Sequence, residues 1–128
     1  MLAIGIGCRK GTEACTIVAV IRVCLEEHGQ PLPPRPILAT GRIKAEEKGI
    51  RDAAAELGAK LLVLDDAALE NVATRTLTRS EMSLAHTGLP SLCEAAALAA
   101  AGANARLLGP RHVSQGVTCA IALSEEIS

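Results

Sequence analysis

The 128-residue chain contains no phenylalanine, tyrosine or tryptophan. That absence removes the aromatic platforms on which single-stranded nucleic acid usually stacks. It also removes aromatic cages for cations and the aromatic anchors common at interface hot spots. Any flat ligand must rest on aliphatic side chains and backbone. The core is left to Leu, Ile, Val and much Ala, which permits close helix approach but buries less area per residue. No apolar run approaches the roughly 18 residues of a transmembrane helix. Met1-Leu2 opens a strand with no basic segment and apolar leader before it, so a cytoplasmic protein is expected, without membrane association. Large charge of either sign is missing as well. Thirteen basic and 14 acidic residues give a net charge of -1, with no global attraction to nucleic acid or an acidic membrane surface.

Five cysteines, an odd number without a C-x-x-C pair, point away from a disulfide framework or a structural zinc site. His28, His86 and His112 share no metal-ligand spacing, and neither a metal nor a cofactor is expected.

What is present is ordinary globular composition, 49% hydrophobic and 21% charged, in a length that suits one domain over residues 1–128. The richest stretch is the start. An apolar run, Leu2 to Ile6, leads into Gly7-Cys8-Arg9-Lys10-Gly11-Thr12 and then a long apolar-rich segment. This reads as buried strand, tight turn and helix N-terminus. Gly5, Gly7 and Gly11 allow positive φ and close backbone approach. The first helical turn and its dipole favour an anion there, with Arg9 and Lys10 adding charge. The same setting lowers a thiol pKa, so Cys8 reads either as a reactive thiol or as a packed bystander, the other cysteines being small buried hydrophobes for the most part.

Thr12 reads as the N-cap of a helix with an apolar stripe at Ala14, Ile17, Val18, Ile21 and Leu25, closed by Gly29. The proline-rich stretch 30–36 is an extended connector to a strand at 37–40. A charged turn, 42–48, precedes a helix over 49–57 that Gly58 closes. Leu61-Leu62-Val63-Leu64 is the clearest buried strand, and Asp65 or Asp66 caps a short helix to about Val72. No period is evident over 73–87. Ser91 and Glu94 form the S-x-x-E signature of a capping box before an Ala-rich helix that ends at Gly102. Residues 105–108 and 117–123 read as the last strands. Their short connection makes them an antiparallel pair.

This alternation predicts an α/β fold, a three-layer α/β/α sandwich with a mixed, mainly parallel sheet of about five strands. Ligands of such folds sit beyond the carboxyl ends of the strands. The turns at 7–11, 40–47 and 65 all follow strand ends. They would form a rim carrying Arg9, Lys10, Arg42 and Lys44 near Glu47, Asp65 and Asp66, suited to a ligand with several carboxylates or phosphates. Lys44 and Glu47, three apart, are placed to pair across a helix start. A triad of Ser91, His86 and Asp65 can be drawn, but no G-x-S-x-G surrounds the serine.

The chain also resembles a known family, that of the cobalamin-biosynthesis protein CobE and the C-terminal domain of CbiG. The resemblance rests on G-I-G-C-R-K-G-T at 5–12, K-x-x-E-x-G at Lys44, Glu47 and Gly49, and Ser80. It continues with G-x-x-S-x-x-E-A-A-A-L at 88–98 and G-V-T-C-A-I-A at 116–122. Arg111 stands where the family often has lysine, and the N-terminal domain that accompanies CbiG has no counterpart. The resemblance implies a role in corrin-ring assembly and a ligand of one class, a precorrin or other corrinoid tetrapyrrole fringed with acetates and propionates. A carrier or accessory factor would hold it through Gly7, Cys8, Arg9, Lys10, Gly11, Thr12, Arg42, Lys44 and Arg111, alongside other enzymes of the pathway. The alternative is a CbiG-like hydrolase opening the lactone of a (cobalt-)precorrin-5A-type intermediate, with Glu47 as general acid or base and Cys8 as nucleophile. A third reading, a phosphate-metabolite-binding or regulatory α/β module, sets the resemblance aside.

Overall fold

Strand β1 (Leu2–Cys8) divides the molecule into two unlike halves. Successive side chains of a strand point to opposite faces. Here Ile4, Ile6 and Cys8 enter one core cluster while Ala3 enters another. The structure is a computed structural model and describes residues 2–81, 84–85, 91–102 and 104–124. His86, Gly88 and Pro90, which entered the sequence reading, lie outside the described residues.

Beside β1 lies β2 (Ile37–Gly41), and beyond it β3 (Lys60–Leu64), both parallel to it, with Gly5 level with Ala39 and Ala39 level with Leu62. On the other side β6 (Val117–Leu123) runs antiparallel to β1 along its whole length, from Leu2↔Leu123 to Cys8↔Val117. Because β1 fills that side of β6, β4 (Arg106–Leu107) and β5 (His112–Ser114) share its remaining side. They are two pieces of one edge, interrupted around Gly109 and Pro110, and a proline offers no N–H to a ladder. The sheet therefore has six strands where about five were expected, because the last position is split in two. Only β6 runs against the others, and its antiparallel pairing with 106–107 is the one expected from the short connection.

Helices α1 (Ala14–Glu27) and α2 (Lys48–Leu57) cover the branched face of the sheet. There Ile17, Ile21 and Ile50 pack with Ile4, Ile6, Leu38 and Ile121. Helices α3 (Asp66–Val72) and α4 (Leu92–Ala101) cover the other face, whose strand residues are Ala3, Ala39, Ala120 and Ala122. A three-layer α/β/α sandwich results. The small face is small for a reason visible at Gly5, where a Cβ would lie 1.8 Å from the Cys93 carbonyl oxygen and 2.8 Å from the Ala97 nitrogen. Helix α4 thus lies almost on the strand, and residues 91–98 are all buried. Alanine and glycine fill this layer by proximity rather than by bulk, so the core closes without an aromatic ring.

Three local expectations change. Glu13, not Thr12, is the N-cap of α1, because the Thr12 hydroxyl is spent donating to the Arg9 carbonyl at 2.7 Å. The run 61–64 is a strand but not a buried one. As β3 it forms the sheet edge with a neighbour on one side only, leaving Val63 45% exposed. The capping box on α4 does not form. Ser91 is the N-cap without a side-chain cap bond, its Oγ 3.7 Å from the Cys93 Sγ, and Glu94 turns elsewhere. Asp65 does cap α3, accepting from the Ala68 N–H at 2.8 Å. Over 73–87, where no period was evident, a 3-10 turn, Ala73–Arg75, follows α3, and the described residues 81 and 84–85 are helical. Among the described residues no helix is long and apolar enough to cross a membrane.

Candidate functional site

The parallel run of β1, β2 and β3 brings the turns after them to one edge of the sheet, and hydrogen bonds tie these turns together. The Gly11 N–H donates to Glu47 Oε2 at 3.3 Å, joining the first turn to the second. The Arg42 guanidinium donates to Asp66 Oδ2 at 3.0 Å, joining the second to the third. The Arg9 N–H donates to the Gly116 carbonyl at 2.9 Å, fixing the first turn against the start of β6. Gly49 makes the central link feasible. A Cβ there would sit 2.0 Å from the Thr12 carbonyl oxygen, so only glycine lets α2 begin close enough to bring Glu47 to Gly11.

One backbone N–H of the glycine turn, that of Gly11, is therefore taken by the protein's own carboxylate. Glu47 accepts from the Gly11 N–H, and its charge disfavours a second anion at the same spot. Of the three glycines of the motif, only Gly11 has a positive φ, +83°. Gly7 and Cys8 belong to β1, paired with Thr118 and Val117. Glu47 forms no ion pair with Lys44 among the described residues, in contrast to the pairing their spacing suggested. Its backbone N–H meets the Lys44 carbonyl at 3.1 Å while its side chain reaches Gly11.

This frees the cations. Arg9 and Lys10 are exposed, Lys44 is half-buried, and none of the three has a carboxylate partner among the described residues. Arg42 is committed to Asp66. Arg111 lies apart, in the interruption between β4 and β5, where its charge acts on the Cys93 thiol of α4.

The Cys8 thiol is raised above its ordinary value, against the reactive reading of its setting. Burial is the main cause, with the Glu47 charge adding to it, and Lys44 and a hydrogen bond with Thr12 offset only part. A raised thiol is a poor nucleophile at neutral pH. The other constellations separate. Ser91 is fully buried against Cys93 and Asp65 is engaged as a helix cap, while His86 lies outside the described residues. His28 closes α1, its Nδ1 2.8 Å from the Cys24 carbonyl, and His112 pairs with Glu27 at 3.0 Å. No cluster of three or more metal-ligating side chains occurs among the described residues.

The sequence gives one carboxylate the wrong partner. Glu94 is completely buried on α4, with Oε1 accepting from the Thr78 N–H at 2.8 Å and Oε2 without a partner among the described residues. The S-x-x-E pattern masked it, since a local capping role explained the glutamate without any distant contact.

This sandwich with one reversed strand is the fold of a class of cobalamin-biosynthesis domains. Residues 2–122 match the family described as "Cobalamin synthesis G C-terminus", and the chain belongs to that family, as a cobalamin-biosynthesis protein of the CobE and CbiG C-terminal type. It is 33% identical to Protein CobE from Sinorhizobium sp over 121 residues, 94% of this chain and 79% of that one. It is 29% identical to a cobalt-precorrin-5A hydrolase from Priestia megaterium over 123 residues, 96% of this chain but 32% of the relative. Among solved structures, CobE from the cobalamin (vitamin B12) biosynthetic pathway superposes with a TM-score of 0.87 at 34% identity, covering 95% of this chain and 89% of that one. The cobalamin biosynthesis protein chiG from Agrobacterium tumefaciens gives 0.77 at 42% identity, covering 98% and 100%.

Proposed function

We propose that the strand-end edge binds a carboxylated tetrapyrrole intermediate of corrin-ring assembly, as a carrier or accessory factor working in the cytoplasm alongside other enzymes of the pathway. The observation that carries this reading is the group Arg9, Lys10 and Lys44. Three cations on adjoining turns lack carboxylate partners among the described residues, while the nearby Glu47 is held by a backbone N–H. Acetate and propionate groups would supply the missing anions. Hydrolysis is the weaker reading. The hydrolase relative is about three times as long as the matched region, Cys8 is raised, and Glu47 is already engaged.

The test is a visible-spectrum titration with uroporphyrin and with cobyrinic acid, two multiply carboxylated tetrapyrroles. Without Tyr or Trp the protein adds little near-ultraviolet absorbance of its own. Binding without turnover is expected, weakened roughly tenfold by Arg9→Ala with Lys10→Ala and progressively by salt, since exposed charge pairs are screened. Undiminished binding by the double variant would sink the assignment. Release of a two-carbon product from a precorrin-5A-type intermediate by this chain alone would replace the carrier with the hydrolase.

A further inference from the structure

A fourth turn reaches the strand-end edge. Because β6 runs against β1, the hairpin that joins β5 to β6 lies beside the end of β1, where Val117 is level with both Cys8 and Ser114. The chain reverses there through Gln115 and Gly116 alone, with φ of +52° and +77°. Positive φ at both central residues is type I′ geometry, for which Asn-Gly is a preferred pair. Gln115 departs from that preference. Among the described residues it is the one non-glycine with positive φ, a conformation that its side chain makes costly. The Gln115 amide is exposed, and no hydrogen bond within the described residues holds it. Local structure gives no reason for a glutamine here, and a backbone outlier of this kind points to function.

The turn is also built around Arg9. The Arg9 N–H donates to the Gly116 carbonyl at 2.9 Å, one step beyond the Cys8↔Val117 pair. Gly116 makes room for the arginine stem, since a Cβ there would lie 3.1 Å from Arg9 Cδ and 3.3 Å from Arg9 Cγ. Two exposed donor side chains, those of Arg9 and Gln115, thus share one corner of the edge. Beside them lies an apolar residue. Alternation along the strands puts Val113 on the same face as Thr118 and Gly7, with which it is in line, and carried one step past Cys8 it puts Arg9 there too. Val113 stands on an outer strand and is 57% exposed.

We propose that the β5–β6 hairpin is a further wall of the tetrapyrrole site, where Gln115 shares a ligand carboxylate with Arg9 and Val113 takes the apolar face of the ring. This rests on the tetrapyrrole reading above and adds two contacts to it. A carboxylate has acceptor sites for both the guanidinium and the amide N–H. Val113 supplies the aliphatic surface that a flat ligand needs in a chain without aromatic side chains.

Uroporphyrin, followed by its visible spectrum, is the probe. Gln115→Asn installs the preferred Asn-Gly turn and withdraws the amide by one methylene. It should raise the melting temperature and weaken uroporphyrin binding about fivefold, the scale of one hydrogen bond. A role confined to shaping the turn would instead give a firmer hairpin with undiminished affinity. Should Gln115→Asn melt lower than the parent, Gln115→Gly, which relieves the positive φ and removes the side chain, takes its place with the same two expectations. Val113→Thr keeps the branched shape and exchanges a methyl for a hydroxyl, and should melt like the parent and bind about threefold more weakly. Parent-like affinity in the Gln115 or the Val113 variant, with Arg9→Ala/Lys10→Ala still impaired, overturns the role of the hairpin and leaves the rim intact. No binding by the parent protein, or undiminished binding by Arg9→Ala/Lys10→Ala, overturns both.

Discussion

Glu47 accepts a hydrogen bond from the Gly11 backbone N–H at 3.3 Å, across 36 positions of sequence. The contact closes two strand-end turns into one surface and places a negative charge beside a thiol and a group of cations.

Replacing Glu47 by Gln keeps an acceptor for Gly11 and removes the charge. Because that charge raises the Cys8 thiol, its apparent pKa should fall. Iodoacetamide labelling in a Cys15→Ser background, which removes the exposed cysteine, should reach half its maximal rate at a lower pH than with Glu47 present. Uroporphyrin should bind more tightly, by about 1 kcal/mol or less, the scale of an exposed charge pair. An unshifted labelling profile would show that the two groups do not sense each other.

Gly5→Ala tests the small face of the sheet. Its Cβ would meet the Cys93 carbonyl oxygen at 1.8 Å, backbone against backbone, so either α4 or β1 must move. Overpacking of this kind costs about 3 kcal/mol or more. Loss of the cooperative transition in far-ultraviolet circular dichroism, or a transition at much lower urea, is the expected result. A parent-like midpoint would mean that α4 slides freely on the sheet.

Alkaline pH should destabilise the fold through Cys93, whose thiol burial pushes from 9.0 to about 11. The sign follows from proton counting. Below pH 9 the thiol is protonated in both states. Between 9 and 11 the unfolded chain releases a proton that the folded chain keeps, so stability falls as pH rises through this window. The loss approaches about 3 kcal/mol at its upper end. No tyrosine titrates there to confuse the reading. Urea midpoints at pH 8, 9.5 and 11 should decline more steeply for the parent than for Cys93→Ala. Parallel declines would assign the effect to the other raised thiols, Cys8 and Cys119.

Periodicity made most of the elements legible. The i, i+3, i+4 stripe of α1, the αL glycine that closes α2 and the Asp65 cap of α3 are local signals. Neighbourhood was not legible. An apolar tetrad such as 61–64 reads the same whether its strand has one neighbour or two, so the edge position of β3 could not be seen. The three residues of β5 are too few to carry a period. At the edge, the turns after β1, β2 and β3 lie together as expected, because parallel pairing fixes where strand ends lie. The partners of Glu47 and Glu94 were not legible, since Gly11 and Thr78 lie 36 and 16 positions away. Each carboxylate had a plausible local partner, Lys44 or Ser91, that folding did not select.

The interruption between β4 and β5 bears on how copies of this chain meet in crowded solution. A strand adding to that side of the sheet would find two short ladders separated by a proline, with no continuous row of donors and acceptors to extend. The opposite border, β3, offers an unbroken row of five residues with exposed Val63 within it and a single lysine, Lys60, at its start. Strand-by-strand self-association is thus polarised toward one flank, and a charge introduced at Val63 is the economical way to keep concentrated protein apart.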